Sequence, residues 1–171
     1  MAQQVQNQED NRIMKFASYI TGSETQACWG IVLSTGSGNY KFLHGTCAGK
    51  REAALACIST MIETYVKARN LEIKLTTNSA WLVEALGEHG YKAMNNVERI
   101  SQYGKSVMDQ FSRMIGVMKN LGDRLAIDPT PDEFGLDLAR AAAYYELHQI
   151  KAAQEAAAIA SSEEELTAQE A

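Results

Sequence analysis

The first part of the chain follows the two-residue period of β-strands. The stretch IMKFASYI at residues 13–20 alternates apolar and polar side chains, and residues 27–35 and 40–49 are rich in apolar, β-branched and aromatic side chains. The linking segments, TGSETQ and GSGN, are short and consist largely of turn residues. Three strands joined by such short connections predict an antiparallel meander.

The period changes to that of a helix at residue 50. In residues 50–70 the apolar positions recur every three or four residues, which predicts an amphipathic helix on one face of the sheet. Residues 71–77, LEIKLTT, then predict a fourth strand, and a strand reached through a helix is expected to run parallel to its neighbour. The segment SAWLVEALGEHG, residues 79–90, predicts a short helix for which Asn78 would be a suitable N-cap.

The second half of the chain predicts mostly helix. Residues 106–122 carry an apolar stripe with helical spacing, and residues 123–128 are a candidate fifth strand. A long alanine-rich helix follows over residues 135–160, and SSEEELTAQEA at residues 161–171 is expected to fray. The order β-β-β-α-β-α-α-β-α predicts an α/β (α+β) fold with a five-stranded mixed sheet and helices on both faces.

Composition and length limit the classes of protein that fit. The chain has 171 residues, of which 46% are hydrophobic and 22% charged, so one globular domain is expected over residues 12–150. We expect residues 1–11 to be disordered and residues 151–171 to form a helical extension with an acidic tail. The polar N-terminus lacks the apolar core of a signal peptide, which leads us to expect an intracellular, cytoplasmic protein.

The net charge and the potential metal-ligating side chains do not point to a specific function. Of the net charge of −5, −4 lies in residues 151–171, which leaves −1 for residues 1–150. A body so close to neutral lacks the electrostatic footprint of a strong nucleic-acid binder. Three cysteines without CxxC spacing and three histidines on separate predicted elements favour neither a disulfide framework nor a zinc site.

Four segments resemble the ribonuclease H family. YITGS at residues 19–23 is similar to the Tyr-Thr-Asp-Gly-Ser signature of the family's first strand, and GKREAALACI at residues 49–58 is similar to the start of its first helix. TNSAWLVEAL at residues 77–86 is similar to the Thr-Asp-Ser segment after its fourth strand, and LDLARAAA at residues 136–143 is similar to its last helix. The resemblance covers residues 13–145 and implies a ribonuclease H-like fold.

The resemblance also implies a place for each residue of the family's catalytic site. That family hydrolyses phosphodiesters with two Mg²⁺ ions held by four carboxylates. The four positions fall here on Thr21, Glu52, Asn78 and Leu136, of which Glu52 alone is acidic. At an effective dielectric of about 20, each missing charge removes roughly 4 kcal/mol of attraction for a unit charge at 4 Å. We therefore expect no catalytic residue and no bound metal.

Three other acids near these segments are candidate replacements for the missing carboxylates. Glu24, Asp132 and Asp137 lie close in sequence to the vacant positions, but at different offsets. Asp137 is one residue from Leu136, and a residue shifted by one along a helix points about 100° away. Mg²⁺ or Mn²⁺ would be a cofactor only if these acids rebuilt a metal site.

The remaining candidates concern binding. Lys50 and Arg51 begin the first predicted helix and are candidate nucleic-acid contacts, together with Trp81 as a stacking platform. Packing beside the core is the alternative role for Trp81. On the last helix, a group of apolar side chains is a candidate surface for a protein partner or for a second copy. They are Tyr144, Tyr145, Leu147 and Ile150.

Three functions follow from these features. The vacant acid positions, the near-neutral body and the extended last helix favour a pseudoenzyme. It would be a degenerate ribonuclease H-like domain that acts as a protein-interaction or scaffold module and binds a protein partner or forms an oligomer. The first alternative is a protein that binds RNA or an RNA–DNA hybrid without cleaving it. The second alternative is a divergent metal-dependent nuclease.

Overall fold

The computed structural model describes residues 13–35, 38–67, 72–86 and 125–169. The helix predicted at residues 106–122 lies outside the described residues, as do the final residues of the helix predicted at 79–90. No helix within the described ranges combines the length and the apolar character needed to cross a membrane.

The strands of the described residues form one mixed sheet. Strands β1 (Ile13–Gly22), β2 (Ala27–Thr35) and β3 (Tyr40–Cys47) pair in antiparallel fashion, as the short turns between them predict. Strands β4 (Glu72–Thr77) and β5 (Leu125–Ile127) extend the sheet in parallel, giving the order β3-β2-β1-β4-β5. The predicted five-stranded mixed sheet, with β4 parallel to its neighbour, is confirmed.

The helices cover both faces of this sheet. Helix α1 (Lys50–Lys67) follows β3, and the short helix α2 (Ala80–Leu86) follows β4. Both contribute to the main core, in which the largest side chains are almost fully buried: Phe16, Ile31, Leu55, Ile58, Met61, Ile73, Leu75 and Leu82. Burying each such side chain contributes about 1.5–3 kcal/mol. The apolar side chains that alternate along the strands therefore pack in one core with those that recur at helical spacing on α1, as the two periods predict.

Helix α3 (Glu133–Gln169) packs on the opposite face, where β2 allows a very close approach. Ala17, Val32 and Ala139 form a second, smaller core there. A Cβ atom at Gly30 would lie 2.1 Å from the carbonyl oxygen of Ala139 and 2.6 Å from the backbone nitrogen of Ala143. The absence of a side chain at Gly30 thus sets the distance between helix and sheet.

Two boundaries differ from those predicted. Helix α3 continues through the acidic tail to Gln169, so the expectation that residues 161–171 fray is wrong for residues 161–169. These residues are mainly Glu, Ala, Leu and Gln, which are strong helix formers. Strand β1 extends to Gly22, two residues beyond the predicted end, because its pairing with β2 continues to Ala27. Gly22 has φ 117°, a conformation that glycine adopts easily and that begins the tight turn.

The three cysteines are free thiols; Cys57 lies in the main core, Cys47 packs beside it, and Cys28 is buried in β2. Burial raises the pKa of Cys57 far above its usual range, and nearby Cys47 raises it further. Burial is also the main cause of the raised pKa of Cys28 and Cys47. A thiol that stays protonated is neither a metal ligand nor a nucleophile, so these side chains act as small hydrophobic groups.

Candidate functional site

Asn78 directly follows β4, and its side chain forms hydrogen bonds with the neighbouring strand β1. Its Oδ1 accepts a hydrogen bond from the backbone N–H of Ile20 at 2.8 Å, and its Nδ2 donates to the carbonyl oxygen of Ile20, also at 2.8 Å. The amide therefore imitates a peptide group and continues the pairing of β4 with β1 past Thr77. A carboxylate could accept the first bond, but an ionised one could not donate the second.

The capping role predicted for Asn78 is wrong, and Ser79 performs it. The Oγ of Ser79 accepts a hydrogen bond from the N–H of Leu82 at 3.3 Å, and the carbonyl oxygen of Ser79 accepts one from Val83 at 3.1 Å. This is the pattern of an N-cap residue, and α2 accordingly begins at Ala80. Asn78 does not cap the helix because its amide already pairs with β1.

A cleft of about 450 Å³ opens beside Asn78, between the ends of β1 and β4 and the starts of α1 and α2. It brings together all three residues that the sequence proposed as nucleic-acid contacts, namely Lys50, Arg51 and Trp81. Trp81 is half-buried and packs against the main core, as expected, while Lys50 and Arg51 are exposed. The remaining lining residues are Ile20, Glu24, Asn78, Ser79 and Ala80.

The first mapped acid position, Thr21, does not lie level with Asn78. The parallel pairing of β1 with β4 ends where Ser18 pairs with Thr77, and one further step would bring Tyr19 level with Asn78. Thr21 lies two residues further along β1, where it pairs with Cys28 of β2. Since side chains alternate along a strand, Tyr19 and Thr21 point to the face that carries α3.

Glu52, the acid that is retained, lies close to backbone on the other face. A Cβ atom at Gly49 would lie 2.8 Å from the Glu52 Oε2 and 2.4 Å from the carbonyl oxygen of Glu24. The carboxylate of Glu52 is half-buried, and its charge contributes to the raised pKa of Cys47, after burial. Glu52 also lies in the first turn of α1, where a negative charge stabilises the helix.

The candidate replacement acids do not gather around Glu52. Asp132 caps α3, because its Oδ1 accepts a hydrogen bond from the N–H of Gly135 at 2.9 Å, while its own N–H donates to Thr76 Oγ1 at 2.9 Å. Asp132 lines a separate cleft on the α3 face, with Lys15 and Lys74 among its other residues. Asp137 is exposed on α3, and Glu24 lines the cleft beside Asn78.

These positions do not fit a pair of magnesium ions. Asn78 uses both atoms of its amide on Ile20, Leu136 is apolar, and Thr21 offers a neutral hydroxyl. Within the described ranges, no three side chains of His, Cys, Asp and Glu are grouped so that they could hold a metal ion. Mg²⁺ prefers several anionic oxygens in near-octahedral geometry, and the donors that the sequence mapped do not provide them.

The structure also shows contacts on the α3 face that the sequence did not indicate. Arg140 lies over the rings of Tyr19 and Tyr144, and the ring of Tyr145 meets that of His44 edge to face at 5.6 Å. Two of the proposed partner-binding residues, Tyr144 and Tyr145, thus contact side chains of the sheet. The other two, Leu147 and Ile150, are half-buried. Every residue from 151 to 161 is exposed.

Comparison with solved structures identifies the fold. The chain is similar to a ribonuclease H1 isolated from compost by a metagenomic approach, with 14% identity, TM-score 0.53 and coverage of 82% of this chain and 98% of that one. It is similar to the N-terminal ribonuclease H domain of a Mycobacterium tuberculosis protein, with 14% identity, TM-score 0.55 and coverage of 84% and 96%. The predicted ribonuclease H-like fold is confirmed.

A third similar structure is the foamy viral protease-reverse transcriptase in complex with an RNA/DNA hybrid. Identity is 11%, the TM-score is 0.58, and the match covers 82% of this chain but 20% of the viral one. The compost ribonuclease H1 has also been solved in complex with an RNA/DNA hybrid, where the TM-score is 0.52. No family model and no curated protein matches the sequence.

Proposed function

We propose that this chain is a ribonuclease H-like domain that binds nucleic acid without cleaving it. The observation that carries the proposal is the cleft at the ends of β1 and β4, where Lys50, Arg51 and Trp81 line one cavity beside Asn78. Two similar structures, at 11% and 14% identity, hold an RNA/DNA hybrid, which supports the class of ligand.

The chemistry of the cleft suits a nucleotide. Lysine and arginine side chains contact phosphate oxygens, and arginine does so with a planar fork of donors. An indole beside them offers a face on which a base can stack, a contact worth about 1–3 kcal/mol per base. The near-neutral body is compatible with such a local basic site, although it implies modest affinity.

The same site argues against hydrolysis. Two-metal cleavage needs carboxylates that hold the ions and orient the attacking water. Here the amide of Asn78 is bonded to Ile20, and the carboxylate of Glu52 lies close to Gly49. Binding and positioning of a strand therefore remain, without the groups that would cut it.

Replacing Lys50 by alanine tests the binding site. We expect about tenfold weaker binding of an RNA–DNA hybrid, since a charge-assisted contact to phosphate contributes roughly 1.5–3 kcal/mol. The slope of log K against log salt should fall by about one, as one phosphate contact is lost. Fluorescence anisotropy of a labelled hybrid at two or more salt concentrations measures both quantities.

Lys41 provides the matched control for this experiment. It is an exposed lysine on β3, at the far edge of the sheet, and it does not line the cleft. Lys41→Ala should bind the hybrid as the wild type does. The proposal fails if the wild-type protein shows no salt-dependent binding, or if Lys50→Ala and Lys41→Ala have equal affinity.

A protein-interaction role is the second candidate, favoured by the exposed part of α3. Residues 151–161 are all exposed, and Ile159 leaves 60% of its surface in contact with solvent. A helix that extends past its contacts with the sheet offers a surface for a partner. The sequence favours this role, which stays a prediction, whereas the cleft favours nucleic-acid binding.

Removing residues 151–171 separates the two roles. The truncated protein should keep its melting temperature, because the removed residues whose burial the structure describes, 151–161, are all exposed. If α3 carries an interaction surface, truncation should abolish co-purification of a partner or reduce the oligomer size, while hybrid binding is retained. Unchanged partner recovery together with unchanged oligomer size would rule out this role for the extension.

A further inference from the structure

We propose that Arg140, Tyr19 and Tyr144 form a second phosphate-binding site, which holds the backbone of the same nucleic-acid strand on the α3 face of the sheet. This inference rests on the proposed function, because it extends the interface from the cleft to the opposite face. Tyr19 and Arg140 lie in segments that resemble the ribonuclease H family, but the resemblance assigns neither of them a role, since Thr21 rather than Tyr19 is the mapped position on β1.

The three side chains form a compact cluster. The guanidinium carbon of Arg140 lies 5.9 Å from the centre of the Tyr19 ring and 5.8 Å from that of Tyr144. The two rings are 6.3 Å apart and tilted by 37°. Contacts of a cation with two ring faces fix the plane of the guanidinium without using its N–H groups. Arg140 is thus pre-oriented, and less side-chain entropy is lost when it binds an anion.

The polar atoms of this cluster remain available to a ligand. Among the described residues, no carboxylate lies within ion-pair distance of Arg140, and no hydrogen bond engages the hydroxyl of Tyr19 or Tyr144. Arg140 is exposed, and Tyr144 leaves 37% of its surface in contact with solvent. Five guanidinium N–H donors beside two phenol rings match the oxygens of a phosphodiester.

The position of the cluster connects it to the cleft. Ile20, which directly follows Tyr19 on β1, lines the cleft together with Asn78. Because successive side chains of a strand point to opposite faces, Tyr19 presents its ring to the other side of the same sheet end. A strand that crosses this end would meet Lys50 and Arg51 first and Arg140 next.

Arginine is required here for its shape as well as its charge. Arg140→Ala should weaken binding of a hybrid about 16 nucleotides long by about tenfold, and should reduce the salt slope by about one. Arg140→Lys should restore the slope but recover only part of the affinity, because an ammonium lacks the planar fork. Lys151→Ala, which removes an exposed cation further along α3, should leave both quantities unchanged.

Oligonucleotide length separates this inference from the proposed function. A strand of about four nucleotides can occupy the cleft but does not reach across the sheet end, so its affinity should depend on Lys50 and not on Arg140. Anisotropy with short and long ligands, and a melting curve for each variant, provide the data.

Each outcome decides the second site, the proposed function, or both. If Lys50→Ala weakens binding of the long ligand and Arg140→Ala does not, the second site is wrong and the proposed function stands. If the wild type binds neither ligand, both are wrong. If Arg140→Ala lowers the melting temperature and weakens both lengths equally, the residue acts through folding and the second site is overturned.

Discussion

Replacing Gly30 by valine is expected to lower the free energy of unfolding by about 3 kcal/mol, the upper part of the usual range for overpacking a core. The smallest added atom, a Cβ, would already lie 2.1 Å from the carbonyl oxygen of Ala139 and 2.6 Å from the nitrogen of Ala143. Both are backbone atoms of α3, so the clash is relieved only when the helix moves away from β2. The melting temperature should fall by about 6–12 °C for a chain of this size.

The matched control for this variant is Thr46→Val. It introduces the same side chain at an exposed position of β3, where valine suits a strand, and should change the free energy of unfolding by less than about 0.5 kcal/mol. Chemical denaturation of both variants measures the difference. A Gly30→Val protein as stable as the wild type would show that α3 does not pack on β2 as described.

Placing at position 78 the acid that the resemblance implies is expected to destabilise the protein and not to make it a nuclease. Asn78→Asp should lower the free energy of unfolding by about 2 kcal/mol, because the carbonyl oxygen of Ile20 loses its donor and faces a carboxylate oxygen instead. The variant should not hydrolyse an RNA–DNA hybrid, since Thr21 and Leu136 still supply no charge. Denaturation and a gel-based cleavage assay test the two parts.

Ser79→Asp controls for the added charge. It places a carboxylate one residue further along, at the N-cap of α2, where Asp is as favourable as Ser. Its stability should match that of the wild type within about 0.5 kcal/mol. If Asn78→Asp were equally neutral, the paired hydrogen bonds to Ile20 would contribute nothing, and the structural role assigned to Asn78 would be wrong.

The sequence predicted the sheet well because local patterns determine it. The residues of β2 were predicted with the observed bounds, since β-branched and aromatic side chains between two turn segments leave little choice. The parallel direction of β4 followed from the helical crossover that precedes it. The sequence named Lys50, Arg51 and Trp81 as separate candidate contacts, and the structure places all three in one cleft; their contact with nucleic acid stays a prediction.

The sequence could not predict features that depend on register between distant segments. The motif at residues 19–23 points to Thr21 as the first acid position, whereas the pairing of β1 with β4 ends at Ser18, three residues before it. The contact of Arg140 with Tyr19 requires the exact seating of α3 on the sheet, which Gly30 permits. A lone glycine inside a strand indicates close backbone approach in general, but it does not tell which element approaches.

The role of Asn78 was missed for a similar reason. Asn is among the best N-cap residues, and the sequence offers Ser79 as an equally good choice one position later. The structure decides between them because Ile20 lies within reach of the Asn78 amide, and a two-bond pairing leaves that side chain unavailable to α2. Local propensity could not predict this role, because Ile20 lies 58 residues away from Asn78 in the sequence.

Binding without cleavage is tested most directly by one preparation of the wild-type protein, a labelled RNA–DNA hybrid, and Mg²⁺ or Mn²⁺. Anisotropy and denaturing gel electrophoresis on the same samples measure binding and hydrolysis together. We expect salt-dependent binding, with the hybrid intact after prolonged incubation. Metal-dependent hydrolysis that disappears in a Glu52→Ala variant would contradict this account, because it would show that enough ligands gather around Glu52 to hold the catalytic ions.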